Sequence, residues 1–121
     1  MPAYRFIDPT VLMTAVGGDV GAFRQLSEVF LSIAPDAYER LRHALQQRDM
    51  PAIVQSSHAL KGSTMLVGAI ELTAQLQKLE SGARSGELDG VDLASAGIAP
   101  QFDGVMAEVG ASIAEPPPGD A

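Results

Sequence analysis

The chain has 121 residues, enough for one domain around a single buried core. Hydrophobic residues make up 46% and charged residues 19%, and 15 acidic side chains against 8 basic ones give a formal net charge of -7. That balance argues against nucleic-acid or anionic-membrane partners, which need clustered Lys and Arg, and the absence of cysteine excludes disulfides and thiol chemistry.

The residues Asp8-Pro9 read as a helix start, with Asp at the N-cap and Pro at the first helical position. This short helix ends at Gly17-Gly18. Asp19 then caps a long second helix, in which Val20, Phe23, Leu26, Phe30, Ile33, Ala37, Leu41 and Leu45 recur every three or four residues as one buried stripe. Pro35 falls inside this run and is expected to kink or interrupt it.

Asp49-Met50-Pro51 opens the third helix, and Gly68 ends it as a residue that tolerates a left-handed backbone. On a helical wheel Ile53, Ser57, Leu60, Thr64 and Val67 gather within roughly 40° of one direction, which should face the core. His58 lies about 140° from the centre of that group, so it is predicted to be exposed. Lys61 and Gly62 follow at three and four residues and share its face. An imidazole placed this way has a cation beside it to offset phosphoryl charge. It also has bare backbone beside it, where another protein's active site can approach. A glycine inside a helix costs about 1 kcal/mol relative to alanine, and access to His58 supplies a reason for it. Val54, Met65 and Leu66 add apolar surface around the histidine and form a candidate docking face.

The fourth helix is expected over residues 69–84, with Leu72, Leu76, Leu79 and Ala83 inward and Ser85-Gly86 as its end. Glu80 and Arg84 stand at i and i+4 on the flank of that stripe. If the flank meets the third helix, Arg84 can help place phosphate and Glu80 can hold a basic side chain or the imidazole. Spacing alone favours an ordinary surface ion pair worth a few tenths of a kcal/mol. A fifth helix is read over residues 91–114 from Leu93, Ile98, Phe102, Val105, Met106, Val109 and Ile113, with Gly97 and Pro100 weakening its first half. The proline-rich tail, residues 115–121, is expected to be disordered.

The pattern predicts an all-α fold: an antiparallel up-down four-helix bundle with a short additional N-terminal helix, occupying residues 7–114. No apolar run reaches the roughly 18 residues a membrane span requires, and no signal-peptide pattern is visible, so a cytoplasmic location is expected. Two histidines and no dense carboxylate loop leave little basis for a metal site, and His43 has no neighbours that give it a role. Neither a phosphate-binding glycine loop nor a nucleophile elbow is present, which excludes an ATP-using kinase in this chain alone.

The run His58-Ala59-Leu60-Lys61-Gly62-Ser63 resembles the His-x-Leu-Lys-Gly-Ser pattern of histidine-containing phosphotransfer (HPt) domains of bacterial multistep phosphorelays. The likeness extends through Ile7-Asp8-Pro9, the stretch from Gly18-Asp19 to Phe30-Leu31, Gly68-Ala69, and Leu79-Glu80 through Ala83-Arg84-x-Gly86, and so covers residues 7–113. The resemblance implies that His58 accepts phosphate from the aspartyl-phosphate of a receiver domain and passes it to another receiver. It implies that Lys61 and Gly62 assist placement and access, and that Ser63 and Arg84 lie near the phosphate or support the histidine. Glu80 stands where the family often has Gln, and Pro100 departs from the usual last helix. The implied partners are response-regulator receivers and a hybrid sensor histidine kinase, with the chain itself a monomeric phosphocarrier rather than an enzyme. It needs no cofactor of its own, since Mg²⁺ is expected on the receiver. Two rivals remain. One is a phosphotransfer domain of chemotaxis-kinase type, phosphorylated directly by an ATP-binding domain; the other is a helical interaction module that is never phosphorylated.

Overall fold

Three aspartates set the starts of three helices. Asp8 accepts a hydrogen bond from the Thr10 amide at 3.1 Å, Asp19 from the Ala22 amide at 3.0 Å and Asp49 from the Ala52 amide at 3.2 Å. Each satisfies an amide that the first helical turn leaves unpaired. A computed structural model describes residues 4–119, apart from the side chains of Leu88 and Leu93. Its helices are α1 (Pro9–Ala15), α2 (Val20–Gln47), α3 (Met50–Leu66), α4 (Ile70–Ser85), α5 (Leu88–Ser95) and α6 (Ile98–Ala114). Among the described residues there is no strand.

Short turns reverse the chain between α2, α3 and α4, so these helices run up, down and up. Helix α2 packs on α3 and α6, and α4 packs on α3 and α5 and more lightly on α6. Tyr38 stacks on Phe102 with ring centroids 4.2 Å apart, and the Arg24 side chain donates to the Ile113 carbonyl at 3.2 Å. These two contacts make α6 antiparallel to α2. Helices α5 and α6 together form the descending fourth leg. Helix α1 lies against α2 and α3. The bundle expected from periodicity is therefore present, with its last leg in two pieces.

That break falls at Gly97 and not at Pro100. Pro100 is the third residue of α6, where a helix has no internal acceptor for the amide that proline lacks. Nor does Pro35 interrupt α2, which is helical from Val20 to Gln47. Pro35 is exposed, so solvent can take the bond it leaves open, while buried Phe30, Ala34 and Leu41 anchor the helix on either side.

The expected stripe on α2 needs a larger correction. Leu26 and Ile33 are exposed, at 37% and 51%, and the inward positions are Phe23, Ser27, Phe30, Ala34, Leu41 and Ala44. The small side chains of Ser27 and Ala34 occupy the buried line, while larger apolar residues sit outside it. On α6 the buried line is Ile98, Phe102, Val105, Val109 and Ser112, with Met106 and Ile113 half-buried. The Leu93 side chain lies outside the described residues.

Both chain ends lie against the bundle. The Glu108 carboxylate accepts the amides of Arg5, Phe6 and Ile7 at 3.0, 2.7 and 3.2 Å, holding the N-terminal segment on α6. The tail leaves the helix after Ala114 as its prolines require and folds back toward the start of α2, with Gly119 lying against Gly18 and Val20. Pro117 is buried beside Tyr4, Ile7 and Pro9. A proline needs no partner for an amide hydrogen, so it can cover an apolar surface there without leaving a buried donor unpaired. The last two residues of the tail lie outside the described residues.

Two glycines on α3 and its turn have opposite standing. A Cβ at Gly62 would meet nothing within 4 Å, whereas Gly68 has φ +73° and a Cβ there would strike the Asp8 backbone. Gly62→Ala is expected to raise unfolding stability by about 1 kcal/mol, by removing the entropy penalty of a helical glycine. Gly68→Ala should lower it by about 1–2 kcal/mol from backbone strain alone, and further from the collision. Urea denaturation of both variants checks the pair, and a loss of stability for Gly62→Ala would show that its surroundings are not open.

Candidate functional site

Helix α3 turns one face wholly inward: Ile53, Ser57, Leu60 and Thr64 are all buried, as is Val67 at its C-cap. The two buried hydroxyls are satisfied locally. Ser57 Oγ donates to the Ile53 carbonyl at 2.6 Å, and Thr64 Oγ1 bonds the Lys61 carbonyl at 3.1 Å and Thr73 Oγ1 of α4 at 2.8 Å. Small polar side chains at this crossing bring α3 and α4 close. The opposite face of α3 carries His58, whose side chain is 68% exposed. The wheel reading is confirmed on both faces.

What the wheel did not resolve is Glu80. Its side chain is only 7% exposed, on α4 beside the buried line of Leu72, Leu76, Leu79 and Ala83. Glu80 Oε1 accepts from Lys61 Nζ at 2.9 Å and contacts His58 Nδ1 at 3.2 Å, while Oε2 accepts from the Arg84 guanidinium at 2.8 Å. Lys61 Nζ also donates to Gln77 Oε1 at 2.6 Å. The surface ion pair favoured by spacing is therefore one edge of a buried hub. Its Arg84 partner is 65% exposed, but the carboxylate is not.

The Lys61 ammonium, Arg84 and His58 hold the Glu80 carboxyl at about 2, below its ordinary 4.5, against the opposing effect of burial. Glu80 is then ionised at neutral pH and can only accept hydrogen bonds. In a neutral imidazole the 3.2 Å contact thus requires the proton on Nδ1, leaving a lone pair on Nε2. Nε2 has no hydrogen-bond partner among the described residues. One carboxylate and two cations leave this cluster with a net positive charge, in a chain of net charge -7.

Other predicted positions fare unequally. Gly62 is exposed, with open space where a side chain would be. Met65 and Leu66 are exposed at 57% and 40%, and Val54 is half-buried. Ser63 is not brought to the cluster. It lies five residues beyond His58, about 140° round the helix, and takes no part in the hydrogen bonds around Glu80. Gln77 was missed, although its place three residues before Glu80 puts it on the same face of α4. His43 is exposed and lies outside this cluster. Among the described residues there is no cluster of acidic, histidine or cysteine side chains that could hold a metal ion, and no helix long and apolar enough to cross a membrane.

A family model described as the Hpt domain matches residues 25–112, a span that includes every residue of the Glu80 cluster. The chain belongs to the Hpt domain family. Hpt domains carry phosphoryl groups on a histidine in phosphorelays, where they interact with response-regulator receivers and kinases. The fold agrees. It is similar to the crystal structure of histidine-containing phosphotransfer protein B (HptB) from Pseudomonas aeruginosa PAO1, with a TM-score of 0.81 and 23% identity over 93% of this chain and 97% of that one. The comparison with curated proteins gave no match.

The depressed Glu80 pKa fixes the sign of an acid response. The pairing contributes fully above the ordinary carboxyl value of 4.5 and is lost as pH falls from there through about 2. Glu80→Gln cannot titrate. Urea unfolding should find it less stable than the native Hpt domain at pH 7, with the gap closing as pH approaches 2. A gap that stays constant with pH would mean that the Glu80 charge does not stabilise the fold.

Proposed function

We propose that His58 is the phosphoacceptor of this Hpt domain and that Nε2 is the nucleophile. The observation that carries this reading is an exposed imidazole whose Nδ1 is bonded to a buried, ionised carboxylate. The ring is oriented and its tautomer chosen before any partner arrives, so less ordering remains for the encounter.

In the proposed transfer, the Nε2 lone pair attacks the phosphorus of a receiver's aspartyl-phosphate. The bond from phosphorus to the aspartate oxygen breaks, and the aspartate leaves as a carboxylate. No base must remove a proton, because Nε2 carries none. Lys61 and Arg84 supply positive charge near the incoming phosphoryl group. Lys61 Nζ has three donors and uses two of them on Glu80 and Gln77, which leaves one for a phosphoryl oxygen. Mg²⁺ and the acidic groups that bind it belong, in this reading, to the receiver. The chain acts as a monomeric carrier in the cytoplasm and its Hpt unit spans residues 7–114. Val54, Met65 and Leu66 meet the receiver around the histidine, and Gly62 admits its active site.

Incubation with a phosphorylated receiver domain should label the chain with an acid-labile, alkali-stable phosphate. His58→Gln is expected to abolish the label while helical content stays unchanged by circular dichroism. Equal labelling of the substituted chain would refute the assignment. Gly62→Gln should slow transfer by crowding the imidazole, at little expense in folding. Identical transfer rates would remove Gly62 from the access route.

A further inference from the structure

Glu80 bonds the ring nitrogen that does not take phosphate. A glutamine in its place could accept the same hydrogen bond, so orientation alone does not call for a carboxylate. The charge matters for what the ring becomes once it is phosphorylated.

While the ring accepts phosphate, a bond forms between Nε2 and phosphorus, and the proton on Nδ1 stays where it is. The ring then bears one formal positive charge beside the negative charge of Glu80. When the phosphoryl group moves on, an acceptor carboxylate attacks phosphorus and the N–P bond breaks. Its electron pair returns to Nε2. With Nδ1 still protonated, the departing group is neutral imidazole; without that proton it would be the imidazolate anion, a far poorer leaving group. Retention of one proton therefore decides how readily the phosphate is passed forward.

The charged groups around Nδ1 come from the two helices that build the site. Helix α3 contributes Lys61, and α4 contributes Glu80 and Arg84, with neutral Gln77 bonded to Lys61. Both cations disfavour a proton on the ring. Glu80, at 3.2 Å from Nδ1, is the one anion of this cluster and contacts the ring directly. Its side chain is 7% exposed, so solvent screens that attraction less than it would at the surface.

We propose that Glu80 is a positioning residue that retains the Nδ1 proton on phosphorylated His58, so that the ring leaves as neutral imidazole when the phosphoryl group is passed on. This rests on the phosphocarrier reading above. It adds that the carboxylate sets the readiness of the phosphorylated chain to donate. Replacement by an amide would remove the one anion of the cluster and leave the charges of Lys61 and Arg84 uncompensated, so the proton would be lost at lower pH.

The test is a pH titration of phosphohistidine by ³¹P NMR, with the full chain phosphorylated by phosphoramidate. The titration midpoint for Nδ1 in the native protein should lie above that of Glu80→Gln by at least about one pH unit, a tenfold change in proton affinity. The native midpoint should also lie above that of the same phosphorylated chain unfolded in urea, a comparison that needs no variant to fold. A native midpoint at or below the unfolded one overturns the proposal, and so does a folded Glu80→Gln midpoint equal to or above the native value. Either result leaves His58 as the acceptor. Failure of phosphoramidate or a phosphorylated receiver to label His58 at all would instead remove the phosphocarrier reading, and this proposal with it.

Discussion

A carboxylate removed from water must be compensated, and Glu80 is compensated by side chains from two helices. Burial of an unpaired charge costs several kcal/mol, and removal of one partner from a buried pair is strongly destabilising. The arrangement holds because Lys61 and His58 on α3 and Arg84 on α4 converge on its two oxygens. That convergence fixes the register of α3 against α4 at the level of the histidine. The same bonds that make the buried charge tolerable also orient the imidazole and select its tautomer. Stability and chemical preparation are served by one set of contacts.

The surrounding bundle keeps those contacts in place. Beneath His58, the paired hydroxyls of Thr64 and Thr73 and the self-satisfied Ser57 allow close helix approach without unpaired donors. Above it, the site is left open. Gly62 has no neighbour where a side chain would stand, and Met65 remains exposed on the same face. Both features work against the isolated fold, one through backbone entropy and the other through hydration of apolar surface. They make sense together on a surface that receives another protein. A local net positive charge in an acidic chain suits the dianionic group that partner would bring.

The α3 face was legible in the sequence because that helix buries one narrow stripe and exposes its opposite, so periodicity alone turned His58 outward. Helix α2 packs on both α3 and α6. Its inward line runs through Ser27 and Ala34, which a search for large apolar residues passes over in favour of Leu26 and Ile33. Glu80 was named but undervalued. An i,i+4 Glu-Arg pair is common on exposed helices, and only the packing of α4 against α3 shows the carboxylate buried with a third and a fourth helix-borne group around it. Composition alone also does not place the tail. Its prolines exclude a helix correctly, but they say nothing of a surface beside Tyr4 and Pro9 that Pro117 can cover.

The central claim is that an ionised Glu80 holds the proton of neutral His58 on Nδ1 and leaves Nε2 free. Nitrogen-15 NMR of the imidazole in the unphosphorylated protein, taken above the pH at which the ring becomes neutral, reads this directly. The expected spectrum shows a protonated Nδ1 and a bare, lone-pair-bearing Nε2. A proton found on Nε2, with Nδ1 bare, would contradict it.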